Sequence, residues 1–80
     1  LFLQKKPSES PISLLSDREL EVFELLGQGR GSKEIAADLH LSVKTVDTHR
    51  THIKEKLRLR SFTELIKRAV QWVEGEITGD

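Results

Sequence analysis

Cysteine is missing from the 80 residues, so neither a disulfide framework nor a thiolate metal site is available, and the chain suits a reducing compartment such as the cytoplasm. No apolar run approaches the roughly 20 residues needed to span a bilayer, which removes a membrane role. Leu1-Phe2-Leu3 is too short for the centre of a secretory signal, and Lys5 and Lys6 follow it where a signal places its charges first. Methionine is absent as well, and the first residue is Leu1, so the chain reads as a domain excised from a longer protein. Also lacking is any surplus of charge. Thirteen basic side chains are cancelled by 13 acidic ones, and for the chain as a whole that speaks against nucleic acid.

The distribution of charge reverses this. From Arg30 to Arg60 there are eight Lys and Arg against four Asp and Glu, and both flanks are net acidic. Phosphate responds to a local basic face and not to the total, so the middle of the chain is the candidate contact surface. A composition of 36% hydrophobic and 32% charged residues is that of a globular chain, and its length supports one small domain.

Residues 1–13, with Pro7, Ser8, Ser10, Pro11 and Ser13, read as a linker or the tail of an upstream domain. Residues 14–74 read as the folded domain and residues 75–80 as a loose tail. Ser16 and Glu19 have the spacing of a capping box, and Leu15 and Leu20 that of a hydrophobic staple, so a first helix is expected over 17–26. Gly27, Gly29 and Gly31 should end it. Ser32 is the expected cap of a short second helix over 33–39, and His40-Leu41-Ser42 a turn in which Ser42 caps a third helix over 43–57. Ser61 and Glu64 repeat the capping spacing before a fourth helix over 62–73. Nothing alternates at the strand period, so the expected fold is all-α, a four-helix bundle.

A short helix with a small residue, Ala36, at its centre, a tight turn and a longer capped helix have the form of a helix-turn-helix. With helix residues about 100° apart and Val46 set inward, the outward face of the third helix carries Lys44, Thr48 and Thr51, flanked by Asp47. These four are the candidates for reading base edges. Lysine donates to guanine, a carboxylate accepts from cytosine N4, and threonine methyls meet the thymine methyl. Lys33, Thr45, Arg50, Lys54 and Lys56 are the phosphate candidates. Asp47 also repels phosphate, so it must point at a base amino group or be neutralised by Arg50 or Lys54.

The blocks Leu15-Ser16-Asp17-Arg18-Glu19-Leu20-Glu21-Val22, Ser32-Lys33-Glu34-Ile35-Ala36, Leu41-Ser42-Val43-Lys44-Thr45-Val46-Asp47-Thr48-His49 and Ile53-Lys54-Glu55-Lys56-Leu57 resemble the LuxR-type (NarL/FixJ-like) helix-turn-helix output domain. The resemblance implies a four-helix domain of a bacterial transcription regulator, with the third helix in the major groove and dimerisation through the fourth. It also implies an upstream receiver or ligand-sensing domain, as in a two-component response regulator. Three positions depart from the pattern. Ser32 stands where asparagine is frequent, Asp47 where a basic residue is common and Phe62 where arginine is common, so a family target sequence cannot be carried over.

Leu65, Ala69, Trp72 and Val73 suggest a homodimer patch on the fourth helix, and a two-fold dimer requires an inverted repeat in the DNA. Trp72 has a second reading, as a ring folded over the helix end onto the core. Double-stranded DNA is the expected partner, and RNA polymerase is a further one that the reading admits. Two rivals stand beside it: a promoter-reading sigma-factor segment, and a helix-turn-helix scaffold that binds protein through its Trp72 face. His40, His49 and His52 do not assemble a metal site, because His49 and His52 face different sides of the helix. Ser42, Asp47 and His49 contain the residue types of a triad, without the geometry of one. Neither an enzyme nor a cofactor is expected.

Overall fold

The computed structural model describes the backbone of residues 12–78 and the side chains of residues 12–75; most of the expected linker and the end of the expected tail lie outside the described residues. A single 3-10 turn, Ile12–Leu14, is followed by four helices: α1 (Asp17–Gly27), α2 (Ser32–Leu39), α3 (Val43–Lys56) and α4 (Phe62–Thr78). Among the described residues there is no strand. The all-α expectation therefore holds, and the first described element begins at Ile12.

Capping chemistry sets the helix starts. The Ser16 N–H donates to Glu19 Oε1 at 2.9 Å and the Glu19 N–H to Ser16 Oγ at 3.2 Å, a complete capping box. The Thr45 N–H donates to Ser42 Oγ at 3.0 Å, as expected for α3. At α2 the cap is Gly31 and not Ser32, with the Gly31 N–H held by Glu34 Oε1 at 3.0 Å. Ser32 becomes the first helical residue, and its hydroxyl is released for another partner.

The ends share one device. Arg30 N–H donates to Leu25 O at 3.1 Å, Leu41 N–H to Ala36 O at 2.9 Å and Leu59 N–H to Lys54 O at 2.9 Å, so α1, α2 and α3 each close in a Schellman turn. Gly29 supplies the positive φ for the first, at 94°, but His40 and Arg58 supply it for the other two, each at 57°.

Two glycine expectations need correction. Gly27 does not end α1 but lies within it, where an added Cβ would stand 2.6 Å from Val73 Cγ2 and closer still to Ala69 O. Its role is the close approach of α1 and α4. Gly75 does not end α4 at the expected Val73, because the helix runs on to Thr78; a helical glycine costs about 1 kcal/mol relative to alanine, which a continuing hydrogen-bond ladder tolerates.

Val22, Phe23 and Leu26 of α1, Ile35 and Ala36 of α2, Val46 and Ile53 of α3, Leu57 after it, and Leu65 and Ala69 of α4 form one buried cluster. This requires a further correction. Leu65 and Ala69 are fully buried and Val73 is 8% exposed, with Ala69 and Val73 against Gly27 of α1, so none of the three is presented on the outside as a dimer patch. The Trp72 ring lies 5.7 Å from that of Phe23, tilted by 54°, which is the folded-over arrangement. The stripe of α4 is covered by the adjoining helix of the same chain, a partner that its own sequence does not display.

Candidate nucleic-acid interface

Ser42 and the αL turn at His40 start α3 directly beside α2, and Ala36, Leu39, Leu41 and Val46 fill the space between them. Val46 anchors the amino-terminal half of α3 in this core, and the other side of that half faces outward. Lys44, Asp47 and Thr48 are exposed there and Thr51 is half-buried. The Thr48 hydroxyl donates to Lys44 O at 3.1 Å, which leaves its methyl and the acceptor side of its oxygen to meet a partner. Thr45 Oγ1 accepts from the Ser42 hydroxyl at 2.9 Å. Lys33 is exposed in the first turn of α2.

On one flank of α3 five side chains meet. Arg50 donates through Nη1 to Ser32 Oγ at 2.7 Å, and the Ser32 hydroxyl donates to Asp47 Oδ1 at 2.8 Å. The Arg50 guanidinium carbon lies 5.1 Å from the centre of the Phe62 ring and Lys54 Nζ lies 5.6 Å from it. Both cations thus lie within reach of the same aromatic ring, whose quadrupole attracts positive charge. Of the two expectations for Asp47, a base amino group or neutralisation by Arg50 or Lys54, the second has its counterpart in an indirect contact, with Ser32 between Arg50 and Asp47.

The opposite flank is different. Glu19, 5% exposed, accepts from Lys56 Nζ at 2.6 Å, and His52 Nδ1 lies 4.0 Å from its second oxygen. Burial pushes the Glu19 carboxyl up, but the Lys56 hydrogen bond, the Ser16 N–H, the Lys56 charge and the Ser16 side chain outweigh it and hold the group below its ordinary value. Lys56 is therefore bound to the scaffold and is not an unengaged phosphate contact. The sequence contained a signal for this that the helix reading passed over. Glu19 precedes Val22, Phe23 and Leu26 at steps of three, four and seven, so it is an acid on the apolar stripe and needs a partner.

Among the described residues no three His, Asp or Glu stand together as metal ligands, and no helix is long and apolar enough to cross a membrane. A polar exposed helix start, carried on a helix-turn-helix and bordered by cations, makes this end of α3 the candidate surface for nucleic acid.

Comparison with known proteins gives the same class. Residues 13–69 match the family of bacterial regulatory proteins, luxR family. The chain is 48% identical over 64 residues to the oxygen regulatory protein NreC of Staphylococcus carnosus (strain TM300), covering 80% of this chain and 30% of that protein. It is 51% identical over 61 residues to NreC of Staphylococcus aureus (strain JH9), covering 76% of this chain and 28% of that protein. The chain belongs to the luxR family of bacterial regulatory proteins and is a DNA-binding domain of transcription regulation. It spans less than a third of the length of these relatives. The three departures from the family pattern, Ser32, Asp47 and Phe62, are the residues that the structure joins through Arg50.

Proposed function

We propose that this chain is the output domain of a cytoplasmic two-component response regulator and that α3 reads the major groove. Lys44, Asp47, Thr48 and Thr51 meet base edges. Lys33, Thr45, Arg50 and Lys54 meet phosphates, and Lys56 is left out of that set because Glu19 holds it. The observation that carries this reading is the exposed polar start of α3 next to the two cations resting on Phe62. Phosphate contacts supply most of the affinity and the start of α3 supplies discrimination.

The homodimer belongs to the same proposal, with its contact moved off the buried stripe to the outward side of α4, where Lys67, Gln71 and Glu74 are exposed. Two copies related by a two-fold axis occupy an inverted repeat. Selection of the 80-residue chain from a pool of randomised duplexes at two salt concentrations tests all of this. Enrichment of an inverted repeat that weakens with salt is the expected result. A folded chain that enriches nothing at low salt would instead be a protein-interaction module.

A further inference from the structure

The hydroxyl of Ser32 has one proton and sits between a group that only donates and a group that only accepts. Arginine has no acceptor and an ionised carboxylate has no donor, so the chain of bonds runs in one direction, from Arg50 through Ser32 to Asp47. Bonds linked in this way polarise one another. Asp47 Oδ1 is fixed by the contact, while Oδ2 accepts no hydrogen bond among the described residues and Asp47 itself is exposed at the start of α3. The Phe62 ring fixes the other end, because it carries Arg50 and, beside it, Lys54. A carboxylate facing a duplex is ordinarily expelled by phosphate charge; here two cations on the same flank offset that repulsion.

Resting on the reading of α3 given above, we infer that Asp47 selects a cytosine in the major groove and that Ser32 and Phe62 are its positioning residues. The choice of base follows from what an acceptor can meet. Cytosine presents only its N4 amino donor, adenine sets its N6 donor beside the N7 acceptor, guanine presents two acceptors, and thymine an acceptor and a methyl. A carboxylate is attracted by the first and repelled, in whole or in part, by the rest.

The test is base-preference profiling of the 80-residue chain and three variants against a randomised duplex pool at two salt concentrations, with circular dichroism melting to establish that each is folded. The wild type should favour cytosine at one position of each half-site by roughly tenfold or more. Asp47→Asn should move that position toward adenine, which an amide meets with both its donor and its acceptor. Ser32→Ala should lower the cytosine preference there severalfold with no change in salt dependence, and Ser32→Thr, which keeps the hydroxyl, should restore it. An unchanged profile for Asp47→Asn, or a wild type that enriches a site without a cytosine preference, overturns the inference while leaving DNA reading by α3 intact. Uniform weakening of every sequence by Ser32→Ala overturns the positioning role. A folded wild type that retains no duplex overturns this inference and the proposed function together.

Discussion

The two flanks of α3 carry similar residue types and use them in opposite ways. On the side of α1 a carboxylate on the core stripe, Glu19, takes the Lys56 ammonium inward at 2.6 Å and ties α3 to α1. On the side of α2 the carboxylate is on α3 itself, exposed, and its cations rest on Phe62 at the surface. The lesson is that a lysine or arginine count on a recognition helix does not measure its capacity for phosphate. Which element supplies the carboxylate, and how deeply it is buried, decides whether the cation is structural or available.

The largest expected effect breaks the first flank. Glu19→Ala removes half of the capping box and leaves Lys56 without its partner, so urea unfolding should show a loss of about 2 to 4 kcal/mol. A loss below 0.5 kcal/mol, the range of ordinary surface changes, would put the two flanks on the same footing. Acid should act on the same contact. A carboxyl held below its ordinary value of 4.5 binds fewer protons folded than unfolded, so its stabilisation is full above that value and is lost as pH falls through the lower folded value. The stability advantage of the wild type over Glu19→Gln should therefore shrink on acidification through the carboxylate range. An advantage independent of pH would mean that the charge of Glu19 is not what stabilises.

The comparison is sharpened by a pair of lysine variants. Lys54→Ala should reduce the slope of log affinity against log salt by about one unit, while Lys56→Met should lower stability and leave the slope as it is. Equal slopes for the two variants would erase the distinction between the flanks. The smallest effect lies beyond both flanks, at the end of α3. Arg58→Gly should raise stability by about 1 kcal/mol in thermal or urea unfolding, since a side chain at φ 57° carries a left-handed penalty of roughly that size.

Much of the fold could be read from local signals. Ser16, Ser42 and Ser61 marked helix starts because a cap lies within three residues of the amide it accepts from, and the apolar steps of α1, α3 and α4 marked the core. What escaped was set by contacts distant in sequence. Gly27 looked like a terminator because its sequence neighbours are Gly29 and Gly31, yet its role is to admit Ala69 and Val73 of α4. Leu65 and Val73 looked available for a second copy, because the width of an apolar stripe does not say which neighbour covers it. Ser32 looked like a cap, and the presence of Gly31 one residue earlier, able to take the extended cap conformation, freed its hydroxyl for Asp47 and Arg50. Helical periodicity alone sufficed to expect Lys44, Asp47 and Thr48 on the exposed side of α3, but not the contacts around them.

The two positive-φ residues that bracket α3, His40 and Arg58, have a consequence for how such a domain can change. Each holds back stability that one codon change to glycine would release, at a site outside the proposed reading set. New side chains on a recognition surface commonly arrive with a stability penalty, and a domain of this size has little margin to absorb it. Unrelieved turns on both sides of α3 leave two positions where a change to glycine can offset such a penalty, so that substitutions on the exposed face of α3 can accumulate in a chain that still folds.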